Sequence, residues 1–87
     1  MRWKTNPQVV VQRLGDSMVL VNLETDRIIE LNETAAALFE LLGSGLDEDQ
    51  VEARLAEAFA VDPVVVRREI PAVLESLTHE KLLLTEA

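Results

Sequence analysis

The sequence predicts an α+β domain in which a three-stranded antiparallel sheet is followed by three helices. Three observations predict it. Residues 8–31 alternate short β-branched runs with turn residues. Residues 32–80 carry apolar side chains at helical spacing. Three separate helix starts each have a capping residue where the first turn needs one.

Taken in order, Val9-Val10-Val11 leads to the turn cluster Gly15-Asp16-Ser17. Met18-Val19-Leu20-Val21 follows, then the more polar Asn22-Leu23-Glu24-Thr25-Asp26, then Arg27-Ile28-Ile29-Glu30-Leu31. Three short strands joined by tight turns make a meander, and β-branched residues are frequent in them. Ile28 and Ile29 point to opposite faces of a regular strand, and so small a sheet needs another layer packed on it. Asn32 caps the first helix, whose face is Ala35, Ala36, Leu38, Phe39 and Leu42 and which Gly43-Ser44-Gly45 stops. Asp47 opens the second, with Gln50 completing a capping box, Leu46 stapling against Val51, and a stripe of Val51, Leu55, Ala58 and Phe59. Asp62 caps the third, Pro63 sits at the first helical position, and Val61 staples against Val66. That helix is expected over residues 63–80, with Val66, Ile70, Val73, Leu74 and Leu77 inward. Pro71 offers no N–H to the Arg67 carbonyl, yet the apolar spacing crosses it unchanged, so one kinked helix is expected.

Length and composition exclude much. Eighty-seven residues make one small domain, 48% hydrophobic and only 3% aromatic, so Phe39 and Phe59 are the bulkiest core fillers. The net charge of −8 is concentrated late: residues 1–46 carry six acids and four bases, residues 47–87 ten and four. Such a chain repels a phosphate backbone, and Arg67-Arg68 is the only basic pair on the third helix, which argues against nucleic acid as partner. Without cysteine and with one histidine, disulfides, a thiol nucleophile and a structural zinc site are excluded. The basic start is not followed by an apolar run of signal-peptide length, and no 18 apolar residues succeed one another. A cytoplasmic protein without membrane insertion is therefore expected.

Candidates for chemistry are few. His79 lies near a helix end, where a cation suits the dipole. Asp47, Glu48, Asp49 and Glu52 crowd a helix start, where free amides stabilise negative charge, and no calcium-loop spacing is present. Ser17, Ser44 and Ser76 belong to no triad pattern, and no lysine follows Gly43-Ser44-Gly45. No catalytic residue, metal or cofactor is expected.

What remains is recognition of another chain. A three-stranded meander has two edges, and an edge strand offers N–H and C=O groups that an extended peptide can complete. Arg27–Leu31 is the candidate because aliphatic side chains fall on both of its faces; the alternative is that helices cover both faces. The acidic balance would favour a peptide with some basic residues. Trp3, the only tryptophan, either packs back over the sheet or meets a partner.

The meander, then Glu30-Leu31-Asn32-Glu33-Thr34-Ala35-Ala36, a helix ending Leu41-Leu42-Gly43, a second leading to Phe59-Ala60-Val61-Asp62, and a third ending near Leu82-Leu83, resembles the PqqD-like family, also called RiPP recognition elements. The resemblance covers an ordered core of about residues 6–84 within a single domain spanning the chain. It implies a winged-helix-like, non-catalytic domain that binds the leader segment of a ribosomally made precursor peptide and presents it to a modifying enzyme or leader peptidase. In the family the leader is added to the third strand and flanked by the third helix. Carried over by position, the resemblance implies Arg27, Ile28, Ile29, Glu30 and Leu31 as the pairing edge and Glu69, Ile70, Val73 and Leu74 as the helical side. Two departures are Pro71 inside the third helix and Thr25-Asp26 where a glycine is common. Among family members the chain is most similar to the stand-alone leader-binding proteins of lasso-peptide clusters, which act beside a cysteine-protease-like leader peptidase and a cyclase. The alternatives are the peptide chaperone of pyrroloquinoline quinone biosynthesis and a bridging protein that reads no peptide.

Overall fold

The computed structural model describes residues 2–86. Its elements are β1 (Arg2–Thr5), β2 (Val9–Leu14), β3 (Ser17–Asn22), β4 (Arg27–Leu31), α1 (Glu33–Gly43), α2 (Glu48–Phe59), α3 (Pro63–His79) and β5 (Leu83–Glu86). β2, β3 and β4 form the antiparallel meander in that order, and the three helices follow it, as the sequence predicts.

Each helix begins at its predicted cap. The Asn32 side chain accepts from the Ala35 amide at 2.9 Å, and the Asp62 carboxylate from the Val64 amide at 2.9 Å. Asp47 and Gln50 form a reciprocal box, each side chain accepting from the other's amide. α3 runs through Pro71 as a single helix. In α2 the stripe differs from expectation: Ala56 is buried and Ala58 is exposed. The face of α2 packed on its neighbours is thus Val51, Glu52, Leu55 and Ala56, and Ala58 lies outside it.

One element pair is not expected from the sequence. β1 pairs antiparallel with β5, Trp3 opposite Thr85 and Thr5 opposite Leu83, in a two-stranded ribbon separate from the meander. Regular structure therefore extends beyond the expected 6–84 core at both ends. Trp3 is only 3% exposed and packs inward in the main core, in one cluster with Met18, Leu20 and Leu31 of the meander. Where the ribbon leaves α3, two buried asparagines hold the chain: Asn6 Nδ2 donates to the Lys81 carbonyl at 2.8 Å and Asn22 Nδ2 to the Glu80 carbonyl at 3.0 Å. Gly43 closes α1 against this ribbon, where a Cβ would stand 2.5 Å from Thr5 Oγ1.

The meander is covered on one face. Met18, Leu20 and Asn22 of β3 are buried together with Leu31 of β4, and α1 packs across this side. The opposite face has no helix on it, and Ile28 is 73% exposed there, so the reading in which helices cover both faces is set aside.

Candidate functional site

The site is built first from the β4 edge. Val9 pairs with Asn22, and one step beyond, the Leu23 amide donates to the Gln8 carbonyl at 2.9 Å. Antiparallel ladders alternate bonded and non-bonded pairs, which makes Val10/Val21, Gln12/Val19 and Leu14/Ser17 the bonded ones. Met18, Leu20 and Asn22 then turn their backbones to Leu31, Ile29 and Arg27. Ile28 and Glu30 are left with N–H and C=O directed off the sheet, the groups an added strand would pair with. Side chains follow the same alternation: Arg27, Ile29 and Leu31 lie on the helix side, Ile28 and Glu30 on the open side.

α3 runs antiparallel beside this edge. Arg27 Nε, at the start of β4, meets Glu80 Oε2, just past the end of α3, at 2.8 Å. At the other end Thr34, three residues past β4, shares a cavity with Val66, Glu69 and Ile70 of α3. The spans agree: eleven helical residues from Glu69 to Glu80 cover about 16 Å, and β4 covers about 13 Å before the turn to Thr34.

The cavity measures about 330 Å³, enough for one large apolar side chain and more. Leu38 of α1, Leu55 and Phe59 of α2, Val61, and Val65 and Val73 of α3 complete its walls. Glu69 is its one charged lining residue and Thr34 its other polar one. Of the helical residues expected in the site, Glu69, Ile70 and Val73 come together here. Leu74 faces a different cleft, with Trp3, Pro71 and Thr78. Thr34, Phe59 and Val65 are not among the site residues expected from the sequence, where Thr34 is part of the segment that carries the family resemblance and Phe59 is a core filler. The signal available was the face drawn by Val66, Glu69, Ile70 and Val73 at i, i+3, i+4, i+7, extended back by one turn.

One ion pair braces the cavity. Arg67 Nε and Nη2 bind Glu52 Oε2 and Oε1, each at 2.9 Å, joining α3 to α2 beside Leu55. The Arg67 hydrogen bonds hold the Glu52 carboxyl below the ordinary glutamate range, with partial burial opposing and the guanidinium charge assisting. The same bonds and the Glu52 charge raise Arg67. Among the described residues, no group of three His, Cys, Asp or Glu side chains could hold a metal ion, and no helix is long and apolar enough to cross a membrane.

Residues 17–83 match the model of the family described as coenzyme PQQ synthesis protein D (PqqD). The chain belongs to the PqqD family. The PqqD match opens at β3 and closes on the first residue of β5, so it contains the β4 edge and all three helices. Two solved structures resemble this PqqD-family chain along nearly its whole length. One is described as TbiB1 in complex with the TbiA(beta) leader peptide, 25% identical, covering 97% of this chain and 98% of that one, with a TM-score of 0.85. The other is described as lasso peptide synthetase B1 complexed with the leader peptide, 25% identical, covering 98% and 100%, with a TM-score of 0.84. No curated protein sequence matches the chain significantly.

Proposed function

We propose that this chain is a non-catalytic, cytoplasmic recognition module that takes up the leader segment of a ribosomally made precursor peptide as a strand on β4, in lasso-peptide biosynthesis. The observation that carries the reading is the β4 edge, where Ile28 and Glu30 have unpaired backbone groups, with an apolar cavity reached past the end of the strand at Thr34. Backbone pairing would supply affinity and the cavity would select an apolar anchor side chain. The contact residues are Arg27, Ile28, Ile29, Glu30 and Leu31 along the strand and Glu69, Ile70 and Val73 on α3, with Leu74 supporting α3 from behind. Both similar solved proteins are described with a leader peptide, which supports this reading.

Delivery to a modifying enzyme is the second half of the proposal. On the open sheet face Val10, Val21 and Ile28 stand in one row across the three strands, and Val19 and Leu14 flank it. Glu30 is the one charge on that face, in a chain of net charge −8. Charge depletion around an aliphatic centre is what a protein interface core has. A strand added to β4 would extend this face, so a leader peptidase of the cysteine-protease-like kind, and a cyclase after it, would meet module and peptide together.

Fluorescence-anisotropy titration of labelled leader peptides tests the reading. Saturable binding of a lasso-type leader supports it, and indifference of the folded protein to leaders refutes it. The family description, coenzyme PQQ synthesis protein D, favours a second reading, a peptide chaperone for a radical enzyme. Preference for a quinone-type precursor would select it.

A further inference from the structure

Pro71 and the Arg67–Glu52 pair have no part in the peptide edge and do not line the cavity, yet both belong to the helices that form its walls. Pro71 leaves the Arg67 carbonyl without its helical donor, so the hydrogen-bond ladder of α3 is interrupted between residues 67 and 71. The two halves of the helix are held by different neighbours. The C-terminal half ends at Glu80, whose carbonyl is bound by Asn22 and whose carboxylate is bound by Arg27. The N-terminal half carries the cavity wall residues Val65, Val66, Glu69 and Ile70. Among the described residues its side-chain hydrogen bonds to α2 are those of Arg67 to Glu52. Glu52 lies one turn before Leu55 and two before Phe59, which form the facing wall.

A bidentate guanidinium–carboxylate bond is directional, and Lys cannot reproduce its fork. The Arg67 side chain is 71% exposed and that of Glu52 10%, so the pair contributes little net stability, and its effect is to favour one arrangement of the two helices. Here the arrangement set is the distance between the two cavity walls. We infer that Arg67 is a positioning residue: through Glu52 it clamps the N-terminal half of α3, loosened at Pro71, against α2, and thereby fixes the width of the cavity that receives the peptide's apolar anchor. The inference rests on the proposed leader-binding reading and assigns its anchor subsite a mechanical control.

The test uses the full chain, the tightest-binding leader peptide from the titration, and the same peptide with its anchor residue changed to Ala. Arg67→Met, and Arg67→Lys as a second variant should the first misfold, are measured alone and combined with Pro71→Ala. The clamp predicts that Arg67→Met weakens the anchored peptide about tenfold while changing the anchor-less peptide less than about twofold. Amide hydrogen exchange across residues 64–70 should quicken by about tenfold, with the meander unchanged. Pro71→Ala, which restores the missing donor, should recover much of both effects in the Arg67→Met background. Equal weakening of both peptides, or unchanged exchange over 64–70, would overturn the inference while leaving leader binding intact. Failure of the unaltered chain to bind any leader would instead remove the underlying reading, and that shows before any variant is compared.

Discussion

Replacing Ile28 by proline separates the sheet from the function proposed for its edge. The Ile28 amide points away from β3, so proline there removes no bond of the ladder, and edge strands tolerate proline in that orientation. Ile28 is 73% exposed, so little packing is lost, and the fold should lose about 1 kcal/mol or less. For a peptide strand the effect is large. One hydrogen bond disappears, and the peptide carbonyl opposite is left unsatisfied at a cost of about 1–3 kcal/mol. That corresponds to a loss of about 5- to 150-fold in affinity. Ile29→Pro is the control, because the Ile29 amide belongs to the bonded pair with Leu20, and interrupting the ladder there leaves the Leu20 carbonyl unsatisfied at about 1–3 kcal/mol of stability. Thermal melts followed by anisotropy titration of both variants decide the matter. If Ile28→Pro binds leader as tightly as the unaltered chain, no strand is added at this edge. If it melts as early as Ile29→Pro, the bonded and free positions of β4 are reversed.

Three further outcomes are expected. Ala60, the C-cap of α2, sits in the left-handed region at φ 52, so Ala60→Gly should stabilise by about 1 kcal/mol and raise Tm by about 4–8 °C in a calorimetric scan. Trp3→Ala should cost about 3–5 kcal/mol in a denaturant melt, because its ring fills the core beneath the terminal ribbon. Glu52 has its pKa lowered by Arg67 in the folded chain, so its contribution is complete above the unfolded-state glutamate value and is lost as pH falls through the lower folded one. A pH series of melts should therefore show a shallower acid limb in Glu52→Gln than in the unaltered chain, with the difference constant near neutrality.

The parts of this fold that could be read from sequence are those settled within a few residues. Asn32, Asp47 with Gln50, and Asp62 with Pro63 each satisfy amides of their own first turn, so three helix starts follow from local chemistry. The alternation of Ile28 and Ile29 between faces is equally local, and so is the unusual turn. Asp26 takes the left-handed conformation, φ 58, that explains the common glycine at this place in the family. The ribbon of β1 with β5 is different in kind. Neither Arg2–Thr5 nor Leu83–Glu86 has a pattern that names its partner, and pairing depends on the helices bringing the two chain ends together. Trp3 is therefore unreadable as core until that closure is known. The cavity was half legible: its α3 wall follows from helical spacing, whereas Thr34, Leu55 and Phe59 join it only through the crossing of three helices.

The most direct measurement is a titration of the isotopically labelled chain with a lasso-type leader peptide, followed by amide and methyl NMR. Strand addition predicts that the Ile28 and Glu30 amides shift strongly and become protected from exchange on saturation, together with methyl shifts at Val65, Ile70 and Val73. Binding that leaves the Ile28 and Glu30 amides unprotected, or no binding by the folded chain, would contradict it.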